Sequence, residues 1–200
     1  MKIERLILRD TNCYLVSTDK AAIVIDPGYE DVRTLEFLQN NSDKEALILI
    51  THAHFDHIGG ADILRKKTGV KIAIGEFDNP ALSDNIVNEA IVGGVEIAPF
   101  SADVLISDND VFSVGDISVK AYLTKGHTIG GLCYQMGDNL FTGDILFHKG
   151  FGNTCFHGGS RRELINSLDF LFNFFDVNTK VFPGHADSTT IGSEKNYYGR

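Results

Sequence analysis

The chain has 200 residues, of which 43% are hydrophobic and 22% charged, a composition typical of a globular protein. Its formal net charge of −9 argues against nucleic-acid binding, because nucleic-acid-binding proteins present basic stripes. Three cysteines without Cys-x-x-Cys spacing make a disulfide framework unexpected and favour a reducing cytoplasm. We find no signal-peptide pattern and no apolar run of the ~20 residues that a membrane-spanning helix needs, so no membrane partner is expected.

Strand and helix signals alternate in the first half of the chain. Short β-branched stretches bounded by turn residues predict strands at 2–8, 12–18, 21–26, 45–51 and 70–74. Apolar residues at helical spacing predict a helix over Val32–Asn40, and a second helix is predicted over 59–69, ending at Gly69. Residues 76–102 show no clear period, which indicates a mobile or insertion-like segment near a functional site.

The second half is again rich in strand signals. Strands are predicted at 103–107, 110–114, 117–124, 131–137, 139–144 and 180–184. Ser160 is the predicted N-cap of a helix over 161–175, with Glu163 at the capping-box position, and 189–195 begins a short final helix. This order predicts an α+β fold with two sheets covered by helices, in a single domain over 1–200.

The densest chemical feature is the segment THAHFDHIGG at 51–60, which follows an apolar strand. Side chains two positions apart in an extended segment point the same way, so His52 and His54 are expected to project together. Asp56 and His57 follow where the chain turns, and they can reach the same pocket from a second direction. Imidazole and carboxylate groups suit Zn²⁺ and other first-row metals, so this segment predicts a metal site.

Three more residues with ligand chemistry occupy similar positions. His127 in KGHT, Asp144 in FTGD and His185 in FPGH each lie at or just after the end of a predicted strand, next to a glycine. The ends of neighbouring strands meet at one edge of a sheet. The combined set therefore predicts one metal site rather than scattered polar residues.

In this order, THAHFDHIGG, GHT, GD and PGH resemble the metallo-β-lactamase fold hydrolases over nearly the whole chain. The segments NCYLV at 12–16, IDPG at 25–28, GDILF at 143–147 and FPGHADSTTIGSEK at 182–195 are similar to the glyoxalase II-like thioesterase branch. The resemblance implies a four-layer αβ/βα sandwich with its site at one edge of the two sheets.

The resemblance also implies a dinuclear centre with two Zn²⁺, or with iron or manganese in their place. One metal would bind His52, His54 and His127, the other would bind Asp56, His57 and His185, and Asp144 would bridge both. A metal-bridged hydroxide would then attack the carbonyl of a small thioester or ester. Asp56 is the expected catalytic residue, which orients the nucleophile or takes its proton. Asp26 is expected either to orient a ligand histidine or to cap a turn.

The chain departs from the thioesterase pattern in FGNTCFHGGS at 151–160. Asn153, Cys155 and His157 stand where that branch usually has Arg, Asp and Pro, so the contacts made there must differ. We expect Cys155 to be a buried, inert thiol rather than a reactive thiol near the pocket. We place His148 and His157 outside the metal shell, where either could line the substrate entrance. Glyoxalase II has a further C-terminal helical domain that supplies most glutathione contacts. Residue 200 lies about where that domain would begin, so glutathione specificity is not expected.

Two alternatives remain open at the level of sequence. A mononuclear iron oxidoreductase of the persulfide dioxygenase kind resembles the same branch and uses two histidines and one aspartate. The intact Asp56, His57 and His185 favour two metals over that arrangement. The other alternative is a metal-binding protein without turnover, which the complete ligand set disfavours. The motifs determine neither the natural substrate nor the oligomeric state.

Overall fold

The computed structural model describes residues 1–199, and within them the strands form two six-stranded sheets. The first sheet has the order β1 to β6: β1 Lys2–Leu8, β2 Thr11–Ser17, β3 Ala21–Ile25, β4 Glu45–Leu49, β5 Ile72–Gly75 and β6 Val104–Ile106. The second has the order β12 to β7: β7 Val111–Val114, β8 Ile117–Leu123, β9 Leu132–Met136, β10 Asn139–Gly143, β11 Lys180–Pro183 and β12 Thr189–Thr190.

Parallel pairing directs several strand ends to one edge of the sheets. In the first sheet, β3 to β6 pair in parallel, while β1, β2 and β3 pair antiparallel. In the second sheet, only the β10–β11 pair is parallel among the described residues. The loops that follow β4, β8, β10 and β11 carry the predicted site residues. Parallel strands leave a sheet at the same edge, so β10 and β11 deliver their loops together.

The helices cover the outer faces of the two sheets. They are α1 Val32–Asn40, α2 Phe55–Ile58, α3 Ala61–Thr68, α4 Arg161–Phe174 and α5 Ile191–Tyr197. Leu38 of α1 and Leu64 of α3 pack on the first sheet, and Leu164 and Leu171 of α4 pack on the second. A separate apolar core lies between the sheets, where Ile23, Leu49, Tyr134 and Phe141 are fully buried. The fold is therefore the predicted four-layer sandwich of the metallo-β-lactamase type.

The structure differs from the sequence prediction in local detail. The helix predicted over 59–69 is found as α3, and a short helix that was not predicted, α2, precedes it. Gly59 and Gly60, between the two helices, pass so close to the backbone of the 27–29 turn that a side chain would clash. Residues 76–102 contain a 3₁₀ helix, Asn79–Ser83, and several buried residues. This segment does reach the site, since the Phe55 amide donates to the Asn88 carbonyl at 2.8 Å. None of the helices in 1–199 is long and apolar enough to cross a bilayer.

Candidate metal centre

The 51–57 segment presents its side chains from the edge of the first sheet. His54 keeps an extended backbone, with φ −73° and ψ 147°, and serves as the N-cap residue of α2. The extended segment lets His52 and His54 project together, as predicted. The turn into α2 then brings Asp56 and His57 to the same point, and His52, His54 and His57 are all buried.

The second sheet contributes the remaining groups. His127 lies in the loop after β8, Asp144 follows β10, and His185 follows β11. Gly184 lets the last of these loops approach closely. A Cβ atom on Gly184 would lie 2.2 Å from Asp144 Oδ1 and 2.6 Å from His57 Cε1, so no larger residue fits there.

The structure brings every predicted site residue into one cluster. Potential ligand atoms lie within 4.8 Å of one another in three overlapping groups: His52, His54 and His127; His52, His57 and Asp144; and Asp56, His57 and His185. Asp144 joins the groups, since its Oδ1 is 3.4 Å from His57 Nε2 and its Oδ2 is 3.4 Å from His127 Nε2. This arrangement could hold two metal ions with a shared carboxylate between them.

Hydrogen bonds to the outer nitrogens set the orientation of three histidines. His57 Nδ1 lies 3.0 Å from Asp26 Oδ2, His127 Nδ1 lies 2.7 Å from the Asn153 carbonyl, and His185 Nδ1 lies 2.8 Å from the Asp10 carbonyl. Each acceptor takes the Nδ1 proton, so Nε2 is the nitrogen that faces the cluster, and it carries a lone pair when the ring is neutral. This is the arrangement that metal-binding histidines adopt.

Asp26 is itself held in place by Thr51. The Thr51 amide donates to Asp26 Oδ1 at 2.8 Å, and the Thr51 hydroxyl donates to Oδ2 at 2.7 Å. Of the two roles predicted for Asp26, the structure shows contact with a histidine of the cluster. Its φ of 52° places Asp26 in the left-handed region, a conformation that these buried bonds stabilise.

The donor set itself fits a cation. His52 Nε2, His54 Nε2, His57 Nε2 and Asp144 Oδ1 are buried without any hydrogen-bond partner among the described residues. His54 Nδ1 lies 2.8 Å from His127 Nε2, within hydrogen-bond distance, so these two nitrogens also converge on the cluster. Buried polar atoms without partners cost free energy, and a bound cation at this point would satisfy several of them together.

Protonation differs between the histidines of the cluster. Burial, followed by the neighbouring His127 and His57, lowers the pKa of His54 to about 2, so its ring is neutral. Burial also opposes a charge on His57, but Asp56, Asp144 and Asp26 outweigh it and raise the pKa of His57 to about 10. Burial would raise the pKa of the Asp56 carboxyl, yet His57 and hydrogen bonds from His185 and Thr11 hold that pKa well below its usual range.

Several contributors to the cluster were not predicted from the sequence. The Thr11 hydroxyl donates to Asp56 Oδ2 at 2.8 Å, and the Asn153 and Asp10 carbonyls orient histidines. Thr11 directly precedes the NCYLV segment, and this position was the one sequence feature that could have indicated its contact with Asp56. The carbonyls gave none, because every residue type has one.

The FGNTCFHGGS loop holds one correction. Cys155 is exposed, so the expectation of a buried thiol is wrong; the turn closed by the Asn153 side chain on the Cys155 amide leaves that thiol at the surface. Cys13 and Cys133 are buried. His148 and His157 are exposed and take no part in the three ligand groups found among the described residues.

Comparison with known proteins agrees with this geometry. The family model of the metallo-beta-lactamase superfamily matches residues 6–185. The probable metallo-hydrolase YqgX of Bacillus subtilis is 29% identical over 92% of this chain and 89% of its own length. The probable polyketide biosynthesis zinc-dependent hydrolase BaeB of Bacillus velezensis is 28% identical over 87% of this chain and 72% of its own.

Solved structures show the same fold. BLEG-1, a B3 metallo-beta-lactamase, has a TM-score of 0.86 at 30% sequence identity. The superposition covers 98% of this chain and 97% of BLEG-1. TTHA1623 in a di-iron-bound form has a TM-score of 0.83 at 27% identity, with 98% of each chain covered. ETHE1 from Myxococcus xanthus has a TM-score of 0.81 at 28% sequence identity. The superposition covers 100% of this chain and 84% of the ETHE1 chain. The chain therefore belongs to the metallo-β-lactamase superfamily.

Proposed function

We propose that this chain is a dinuclear metal-dependent hydrolase that acts on a small thioester or ester. The observation that supports it best is the set of three overlapping ligand groups, in which buried nitrogen and oxygen atoms have no hydrogen-bond partner within residues 1–199. A cation between them would satisfy several of these acceptors together. The superfamily relatives named as metallo-hydrolases support the reaction class.

Each proposed ligand follows from its position in the cluster. His52, His54 and His127 would hold one metal, Asp56, His57 and His185 the other, and Asp144 both. Imidazole with carboxylate suits Zn²⁺, and iron or manganese could take the same places. When bound, the metals would lower the pKa of a water molecule and polarise the substrate carbonyl.

Asp56 is the proposed catalytic residue. Thr11 and His185 hold its Oδ2, at 2.8 Å and 3.2 Å, so the carboxylate keeps one orientation. Because its pKa is depressed, Asp56 stays ionised and is a weak proton acceptor. This favours a role in orienting the attacking water over a role as the final base.

Phe156 covers the cluster from the FGNTCFHGGS loop. Its ring lies edge-on to His54, with centroids 5.4 Å apart, and 6.2 Å from the ring of His127. An aromatic ring in this position limits the access of bulk water. Exclusion of water strengthens the electrostatic interactions around the reacting carbonyl.

Elemental analysis of the purified protein, combined with assays on acyl thioesters, esters and lactones, tests this function. We expect two metal equivalents per chain and hydrolysis of at least one thioester or ester. Protein that holds two equivalents of zinc but turns over no member of the panel would contradict the proposal.

The iron oxidoreductase of the persulfide dioxygenase kind is the second candidate. The structural similarity to ETHE1, and to TTHA1623 in a di-iron-bound form, supports this second candidate. It would require iron in the purified protein and oxygen consumption with glutathione persulfide. The full set of ligand groups around Asp56, His57 and His185 favours the hydrolase.

A further inference from the structure

A cavity of about 220 Å³ lies beside the proposed metal centre, and His54 forms part of its wall. Most of its remaining lining is apolar, contributed by Ala53, Phe77, Pro80, Ala81, Val87 and Ile129. These residues come mainly from the 76–102 segment and the loop after His127. The cavity therefore lies between the metal centre and the segment whose sequence is the least regular.

The polar group in this wall is already engaged. Asp78 Oδ2 accepts from the Thr128 hydroxyl at 2.8 Å and from the Ala53 amide at 3.2 Å, and Asp78 is buried. Its carboxylate therefore connects the cavity wall to the segment that carries His54 and to the loop that carries His127. Two donors already occupy Oδ2, and most of the lining is apolar, so the cavity can receive an apolar group.

The rim of the cavity is also fixed. The His157 amide donates to Glu89 Oε1 at 2.8 Å, which joins the 153–159 loop to the 84–95 segment. Glu89 is buried at a φ of 62°, a conformation that such a contact helps to hold. The cavity is therefore built from two loops tied to each other, which suits a binding site that exists before the ligand arrives.

We propose that this cavity binds the acyl group of the substrate, and that the preferred substrate carries a short branched or aromatic acyl chain. The inference rests on the proposed thioesterase or esterase function. The size supports it, because an apolar cavity of about 150 Å³ in another protein binds benzene. An apolar cavity beside the metal centre suits the acyl group rather than the departing thiol or alcohol, which must leave to solvent.

The first test compares acyl groups on one thiol. With zinc-loaded protein, we expect kcat/KM for isovaleryl and benzoyl thioesters of N-acetylcysteamine to exceed that for the acetyl thioester at least ~10-fold, since each buried methylene contributes about fourfold. Val87→Phe fills the cavity and should bring this ratio close to one, and Ala81→Leu gives a second, smaller obstruction should Val87→Phe fail to fold. Val111→Phe, at an exposed position on β7 outside the cavity, should keep the wild-type ratio.

A binding readout separates this proposal from the proposed function. Toluene should shift the methyl resonances of Ala53 and Ala81 in zinc-loaded wild type and in Val111→Phe, but not in Val87→Phe. Hydrolysis with no acyl preference, or no shift at Ala81, would overturn the acyl cavity. Toluene binding without hydrolysis of any thioester or ester would contradict the proposed function instead, and with it the acyl assignment, leaving an apolar binding cavity.

Discussion

Asp144 differs from the other residues of the cluster because its two carboxylate oxygens face different imidazoles. Oδ1 points to His57, while Oδ2 points to His127 and lies 3.5 Å from His185. A single residue thereby joins two groups that come from different sheets. The two proposed metal positions should consequently depend on each other, since both share this carboxylate.

Substitutions at His54 and Asp56 should separate metal binding from turnover. His54→Ala should lose metal at the first position and nearly all hydrolysis. Asp56→Ala should lower kcat by ~10²–10⁴-fold and cost turnover more than it costs occupancy of the first position. Metal content and kcat, measured on the same preparations, check both expectations.

Asp43→Ala is the matched control, because Asp43 is exposed in the turn before β4. It should match wild type in metal content and rate. Equal activity in wild type and Asp56→Ala would contradict the mechanism.

The three thiols should react in two classes. Cys155 is exposed, whereas burial raises the pKa of Cys133 to about 12 and also raises the pKa of Cys13. Only thiolates are nucleophilic, so Ellman's reagent should titrate one thiol in the native protein and three in denaturant. Cys155→Ser should remove the fast class, and fast modification of two thiols in that variant would contradict the burial described.

At the scale of elements, α4 is joined to the metal centre through its N-cap. The Ser160 hydroxyl accepts from the Glu163 amide at 3.3 Å, as the sequence predicted. The Ser160 amide, however, donates to the Gly126 carbonyl at 2.8 Å, directly before His127. The helix start therefore fixes the loop that carries a proposed ligand.

Ser160→Ala should lower the free energy of unfolding by about 0.5–2 kcal/mol, because the orphan Glu163 amide loses its acceptor. Urea unfolding monitored by circular dichroism checks this value. Ser193→Ala, at an exposed position in α5, is the control and should change stability by less than ~0.5 kcal/mol. Equal destabilisation by both variants would mean that the cap contributes nothing.

Most strands and the predicted site residues could be identified from the sequence because their signals are local. Alternating or continuous apolar runs mark the strands, and His52, His127 and His185 each lie in a short motif near a strand end. Other features depend on contacts distant in sequence. The exposed Cys155 and the 3₁₀ helix at Asn79–Ser83 lie in loop segments whose structure no hydrophobic period encodes.

At the scale of the whole molecule, the two sheets and the metal centre depend on each other. The proposed ligands come from both sheets, so bound metal would connect them across one edge of the sandwich. Without metal, the four buried atoms that find no hydrogen-bond partner within residues 1–199 would carry a desolvation cost. Stability and metal occupancy should therefore be linked.

Metal removal should lower the melting temperature. A ligand at 100 times its Kd stabilises the native state by about 2.7 kcal/mol, which corresponds to about 5–10 °C for a chain of this size. Calorimetry before and after dialysis against a chelator measures the change, with metal content checked in parallel. Added Zn²⁺ should restore the original value, and an unchanged melting temperature after verified metal loss would contradict the linkage.

The carbonyl that orients His127 has a consequence for how this protein can diversify. Position 153 supplies its main chain to the histidine, so its side chain can be exchanged without loss of that hydrogen bond. The same loop carries Phe156 above the cluster and His157 at the rim of the cavity. Natural variation can accordingly alter what enters the pocket while the orientation of His127 is inherited unchanged. The same loop thus fixes His127 through its backbone while its side chains face the pocket.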